Sequence, residues 1–299
     1  MKFRDKLLSG KFIVTAEISP PKGTDIQEML RDASMLKDLV DAINVTDNQR
    51  AIMRMSPAAA CGILKSEGFE TIMHLTCRDR NRLALQSELL GASALGIRNV
   101  LVMSGDYPTK GDHAGAQPVY DLDSVQLLGL IQKLNRGFDF SDNRLIGKTD
   151  FCAGAVTNTE INELALIKLQ KKIKSGARFI QTQAVFDVDS FSEFMGEIKS
   201  ELQDAFEKVK IIAGIIPLKS EKNARFLNSN VAGIQIPDNI INRMQDARNP
   251  EACGMEIAAE LIKELRGKCD GIHIMPIGAH ENTREILEIA GLMNPSKKD

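Results

Sequence analysis

Two carboxylates in this chain sit in settings that suit chemistry. Glu17 lies among Ile13, Val14, Ala16 and Ile18 in the run FIVTAEIS. Asp106 closes NVLVMSGD, an apolar run that breaks into Ser104, Gly105 and Asp106 before Tyr107 and Pro108. A carboxyl withdrawn from water favours its neutral form, so the Glu17 pKa is expected to rise toward the range a general acid needs near pH 7. A small residue, a glycine and a carboxylate at a strand end let a ligand approach the backbone, with one negative charge aimed at it. Asp106 would there favour a developing positive charge or bind an amide-like donor face. Gln181 and Gln183 in RFIQTQAV are two apart on one strand, so their amides point the same way and suit a heterocycle edge. The plainer alternatives are a simple turn at 104–108 and a salt-bridged Glu17. What favours a site is the recurrence of similar strand ends along the chain.

Eight segments of strand character carry those ends: 12–19, 41–48, 70–77, 99–106, 151–158, 178–185, 210–217 and 271–278. Helical stripes or stop signals mark 24–40, 57–66, 83–95, 124–135, 160–175, 190–202, 220–228, 250–266 and 282–290 between and after them. A short helix over 1–8 would close the bottom of the structure. Two stretches, 107–119 and 136–148, lack periodicity; the first follows the Ser104-Gly105-Asp106 end directly and is expected to serve the site. The segment 231–248, with Pro237, is an extra piece. Eight strands, each followed by helix, over a length near the ~250 residues of such folds, predict a single (β/α)8 TIM barrel spanning 1–299, with an extra N-terminal helix and a long loop after strand four. A doubly wound open sheet is the rival. It would carry GxGxxG after its first strand, where this chain has Ser19-Pro20-Pro21-Lys22-Gly23. In a barrel the site lies on the C-terminal face. The strand ends there read Glu17; Thr46, Asp47 and Asn48; His74 and Thr76; Ser104, Gly105 and Asp106; Thr157 and Asn158; Gln181 and Gln183; Pro217; Pro276 and Gly278.

Composition narrows the function classes. With 43% hydrophobic and 26% charged residues and a formal net charge of −2, the chain has no basic face to favour nucleic acid or an anionic membrane. The opening MKFRDKLLSGKF scatters charges and has no apolar core, which argues against a signal peptide, and no stretch approaches the ~20 apolar residues of a membrane span. A cytoplasmic location is expected. The five cysteines, Cys61, Cys77, Cys152, Cys253 and Cys269, are odd in number and lack CxxC spacing. They are expected as small buried residues, with Cys77 a candidate ligand contact from its strand-end position. His74 is expected to form hydrogen bonds or stack. His113, His273 and His280 fall in unrelated settings, and no HxH or HExxH pair points to a metal.

Six motifs in order carry a resemblance: AEISPP (16–21), NVTDN (44–48), HLTC (74–77), SGD with YP (104–108), VYDLDSVQLL (119–128) and GARFIQTQAVFD (176–187). Together they resemble the methylenetetrahydrofolate reductase family. The resemblance implies a barrel holding non-covalent FAD, or FMN, on its C-terminal face and reducing 5,10-methylenetetrahydrofolate to 5-methyltetrahydrofolate. Glu17 resembles the family's general acid, which protonates a folate nitrogen so that the five-membered ring opens to an iminium that accepts hydride. Asp106 resembles the aspartate beside flavin and pterin, and Gln183 the glutamine that meets the pterin. Thr46, His74, Ser104, Gly105, Asp106, Tyr120 and Lys172 match flavin contacts, with Lys172 placed for the pyrophosphate. Ala279 and Glu221 stand where the better-known branch has a basic residue and an aromatic. The MPIG ending is similar to a branch in which a separate iron–sulfur or zinc-binding subunit can accompany the reductase. The implied donor is NAD(P)H or such a partner, in a homo- or hetero-oligomer. Other readings are a pterin-binding methyltransferase barrel and a subunit of an electron-transfer assembly inactive alone.

Overall fold

The computed structural model describes residues 2–160 and 162–293, so Met1 of the expected first helix and Ile161 of the expected sixth lie outside the described residues. Eight parallel strands form in the expected places: β1 (Ile13–Ile18), β2 (Ala42–Val45), β3 (Thr71–Thr76), β4 (Asn99–Met103), β5 (Cys152–Thr157), β6 (Phe179–Ala184), β7 (Lys210–Ile215) and β8 (Gly271–Ile274). Each pairs with the next, and β8 pairs back onto β1, which closes the barrel. The strands read as near-continuous apolar runs because both faces are covered.

Alternation along each strand sends one set of side chains outward. Val14, Ala16, Ile43, Val45, Met73, Leu75, Val100 and Val102 belong to a large apolar cluster shared with the surrounding helices. These are α2 (Gln27–Met35), α3 (Pro57–Ser66), α4 (Arg82–Ala94), α5 (Ser124–Arg136), α6 (Glu163–Lys174), α7 (Val188–Leu202), α8 (Glu221–Asn230), α9 (Asp238–Asp246), α10 (Pro250–Leu265) and α11 (Asn282–Ile289). Side-chain caps fix where several of them begin. Asn81 caps α4, and Asp123 and Gln126 form a reciprocal capping box on α5.

The other set points inward in layers. At the bottom, α1 (Phe3–Leu8) inserts Phe3 and Leu7 among Ile13, Ala42, Ile72, Leu101, Cys152, Phe179 and Ile212. The Phe3 ring meets Phe179 edge-on at 5.2 Å between centroids. Gly154 is required in this layer, because a Cβ there would lie 2.4 Å from the Phe179 ring.

The structure differs from the sequence expectation in the connections. The second helix stops at Met35 rather than near residue 40, and Asp38 takes a left-handed backbone (φ 61°) in the turn that follows. The extra piece yields α9, with Pro237 at its N-cap. The segment after α5 folds on itself through an isolated bridge between Phe138 and Arg144. The long loop after β4 is present and contains one 3₁₀ turn, Pro108–Lys110. No helix among the described residues is long and apolar enough to cross a membrane.

Candidate active site

At the C-terminal mouth a cavity of about 480 Å³ is lined by Glu17, Thr46, His74, Ser104, Gly105, Asp106, Lys172 and Gln183, so eight of the nine residues singled out from sequence meet in one space. The ninth, Tyr120, is not among the lining residues. It stands at the rim, where its hydroxyl donates to the Gly105 carbonyl (3.1 Å) and its ring stacks on Tyr107 at 6.4 Å. Cys77 does not line the cavity either; it is fully buried, and burial pushes its thiol up to about 12. All five cysteines are free thiols.

Beneath the cavity lies a layer of buried polar groups, in which Thr15, Asn44, His74 and Gln181 each stand two residues along the strand from a plug residue. Asn44 Nδ2 donates to His74 Nε2 (2.8 Å) and to Gln181 Oε1 (2.8 Å). Gln181 Nε2 donates to Thr15 Oγ1 (3.3 Å), which lies 3.0 Å from His273 Nδ1. His74 accepts at Nε2, which fits a neutral imidazole; burial pushes its pKa down to about 4. The Thr15 hydroxyl also reaches the Ile272 carbonyl (3.4 Å), and the His273 ring presents Nε2 toward Glu17 Oε2, 3.9 Å away.

Glu17 departs from the sequence expectation of a raised pKa. Burial does raise it, but the facing His273 and the Gln49 amide outweigh burial and hold the carboxyl below the usual carboxylate range. Gln49 Nε2 donates to Glu17 Oε1 at 2.9 Å. His280 Nε2 lies 3.1 Å from the Glu17 carbonyl oxygen and its Nδ1 lies 3.3 Å from Asp32, so the loop after β8 also fixes the end of β1. His273 and His280 therefore do not stand in unrelated settings: one faces the Glu17 carboxyl and the other its backbone.

Two arginines that sequence reasoning passed over build the floor of the β3 and β4 ends. Arg78 pairs with Asp79 and donates to the carbonyls of Asp106 (3.1 Å) and Asn48 (3.2 Å). Arg80 grips the buried Asp47 carboxylate, which also accepts from the backbone N–H and hydroxyl of Thr76. Four charged or thiol-bearing residues in a row, Cys77 to Arg80, at a strand end were the available signal. Gly105 takes φ 88°, and a Cβ there would lie 3.1 Å from Thr76, so any other residue would strain this turn. The Asp106 side chain is about half exposed and aims its carboxylate at the mouth, 3.7 Å from Lys110.

The wall from α6 is cationic. Lys172 is only 7% exposed, its Nζ donates to the Val156 carbonyl (2.5 Å), and Lys168 lines the same cavity. Burial, then the charge of Lys168, push the Lys172 pKa down to about 8. Two ammonium groups beside a cavity, with no carboxylate paired to either among the described residues, suit a ligand that brings negative charge, and a pyrophosphate has that chemistry. No group of three or more His, Cys, Asp or Glu among the described residues is arranged to hold a metal ion.

Comparison with known proteins gives a consistent picture. The sequence pattern of the family described as methylenetetrahydrofolate reductase matches residues 2–291. Methylenetetrahydrofolate reductase 2 of Schizosaccharomyces pombe is 23% identical over 97% of this chain, which covers 47% of that protein. The chain thus spans about half the length of the first eukaryotic relatives it matches. The 5,10-methylenetetrahydrofolate reductase of Salmonella typhimurium is 25% identical over 95% of this chain and 93% of its own length. Among solved structures, a Clostridium thermocellum protein described as binding two copies of 5-methyl-5,6,7,8-tetrahydrofolic acid shares the fold, with a TM-score of 0.69 at 17% identity, covering 97% of this chain and 99% of that one.

Proposed function

The chain belongs to the methylenetetrahydrofolate reductase family, and from that premise we propose that it reduces 5,10-methylenetetrahydrofolate to 5-methyltetrahydrofolate with a non-covalent flavin. The observation that carries this reading is the meeting of Glu17, Asp106, Gln183 and Lys172 around one cavity. Lys172 and Lys168 would hold the pyrophosphate of FAD, which favours the dinucleotide over FMN. Thr46, His74, Ser104, Gly105 and Asp106 would border the ring system, with Tyr120 closing the rim. Bound reduced flavin supplies the hydride.

The protein's part is to move a proton and hold charge. Glu17 gives its proton to a folate nitrogen as the ring C–N bond breaks, and the electron pair of that bond leaves with the nitrogen. The Asp106 carboxylate, exposed toward the mouth, favours the cationic iminium that results. Gln183 holds the pterin edge through an amide already fixed by donation to the Ala232 carbonyl (3.1 Å). Because His273 and Gln49 favour the ionised carboxylate, Glu17 needs a change before it can act. Substrate that displaces the Gln49 amide and excludes water leaves burial to dominate and moves the Glu17 pKa upward. The electron donor in this reading is NAD(P)H or a partner electron-transfer subunit, in a cytoplasmic homo- or hetero-oligomer.

The test is direct. Purified protein is loaded with FAD, reduced anaerobically and mixed with methylenetetrahydrofolate. Reoxidation of the flavin with stoichiometric 5-methyltetrahydrofolate supports the proposal. Protein that takes up no flavin but binds the folate would replace it with the methyltransferase-type reading.

A further inference from the structure

The turn after β2 carries strain that the fold takes care to hold. Asn48 (φ 45°), Arg50 (φ 56°) and Ala51 (φ 57°) all lie in the left-handed region without being glycine. Such strain persists where surroundings over-determine it, as at ligand clamps. Here the bracing comes from several sides. Asn48 Oδ1 accepts from Arg54 N (2.8 Å), Asp112 from the long β4 loop accepts from Met53 N (3.0 Å), and Met55 N donates to the Pro21 carbonyl (2.9 Å). Gly111 packs so closely on the Ala51 carbonyl that a Cβ there would overlap it, at 1.8 Å.

The strained turn does two things. It sends Gln49 inward onto Glu17, and it sets Arg50 at the lip of the same cavity. There the Arg50 guanidinium stands 5.8 Å over the ring of Phe226, which α8 presents 44% exposed. Neighbouring cations are committed: Arg78 to Asp79, Arg80 to Asp47, Lys22 to Asp112, and Lys219 to the Ile277 carbonyl. Arg50 has no carboxylate partner among the described residues; its one assigned contact is the Phe226 ring. The mouth therefore offers two separate cationic positions, the lysine pair on α6 and Arg50 against α8.

We propose that Arg50 and Phe226 form a subsite for the aryl-glutamate tail of a reduced folate, with Phe226 stacking on the p-aminobenzoyl ring and Arg50 binding a glutamate carboxylate. The inference rests on the folate reading above and deepens it. The cavity of about 480 Å³ must already take a flavin ring and a pterin, so the tail has to leave over a lip. Gln183 is tied to Ala232, just past α8, so a pterin held by Gln183 lies on the α8 side of the cavity, the side where Phe226 stands. A planar guanidinium binds carboxylate in a fork and lies flat on an aromatic ring, so one side chain meets both parts of the tail. The lysine pair stays free for the pyrophosphate.

The experiment measures Kd for 5-methyltetrahydrofolate, its triglutamate and the corresponding tetrahydropteroate, which lacks glutamate. The flavin-loaded protein and the variants Arg50→Ala, Arg50→Lys and Phe226→Ala are compared, with flavin content and unfolding midpoint measured alongside. Arg50→Ala is expected to weaken both glutamate-bearing ligands by roughly tenfold while leaving the pteroate unchanged, and Arg50→Lys to recover part of the loss. Phe226→Ala should weaken all three several-fold. Wild-type binding with no loss in Arg50→Ala, or an equal loss for the pteroate, overturns the subsite. Absence of any folate binding by the wild-type protein overturns the function reading instead.

Discussion

The two ends of the barrel interior are built from the same strands and do opposite work. At the bottom, Ile13, Ile72, Phe179 and Ile212 close around Phe3 and Leu7. Two residues further along, Thr15, His74 and Gln181 join His273 of β8 in a hydrogen-bonded polar layer. Two further again, Glu17, Thr76 and Gln183 reach the cavity. Strands β1, β3 and β6 thus carry packing at their start and site residues at their finish, with a single inward-facing alternation joining them. The polar layer between is nearly satisfied within itself, so it can pass orientation to the mouth without leaving buried groups unpaired.

If the ends are separable, variants at each should move different observables. The largest effect is expected from Glu17→Gln: folate reduction should fall by about two to four orders of magnitude. Bound flavin and its reduction by an artificial donor should persist, and the unfolding midpoint should hold or fall slightly, since the amide still accepts from Gln49 but loses the charge that the folded site favours. Rapid-mixing kinetics of the oxidative half-reaction read this. A Glu17→Gln protein that reduces methylenetetrahydrofolate normally removes Glu17 from the acid role.

The bottom should answer the other way. Phe3→Ala opens a cavity under Phe179 and should lower stability by about 3–5 kcal/mol in denaturant titration. The fraction still folded should turn over at the wild-type rate per bound flavin. A large loss of per-flavin turnover at permissive temperature would mean that the plug also sets the geometry of the mouth, and the separation would fail.

This division explains what could be read from the sequence. The eight strands were legible because a strand buried on both faces must be apolar, and Glu17, Asp106 and Gln183 interrupt that pattern at consistent ends. Gln49, Arg78 and Lys168 were not, because loops have no period and the first turns of helices do not announce which face meets the barrel. His273 was missed for a subtler reason. Whether a strand residue faces in or out depends on a register that shifts by one residue without altering composition, and only the closure of β8 against β1 opposite Thr15 fixes it. The Glu17 pKa was misjudged in sign for the same cause. Val14, Ala16 and Ile18 point outward to the helices and Ile13 joins the plug below, while the groups that set its charge, His273 and Gln49, come from β8 and the turn after β2.

The smallest predicted effect tests whether the mouth alone responds to pH in the neutral to mildly alkaline range. Lys172 is held at about 8, below its usual value, by burial and by Lys168. Between about 8 and the unfolded value of 10.5, the unfolded chain holds a proton that the folded chain has released, so this group makes the flavin-free protein more stable as pH rises. Flavin binding has the opposite sign. A pyrophosphate needs the charged ammonium and raises its pKa, so binding takes up a proton above pH 8 and the affinity falls by up to about tenfold per pH unit until the pKa of the bound state is reached. The plug offers nothing comparable, since its one ionisable member, Cys152, is pushed up to about 11. Fluorescence titration of FAD from pH 7 to 9.5 should show the decline in wild-type protein. Lys172→Met should bind more weakly at pH 7 with a flatter profile. An affinity constant across this range in the wild type would place the pyrophosphate elsewhere and leave Lys172 as a buried cation serving only the Val156 carbonyl.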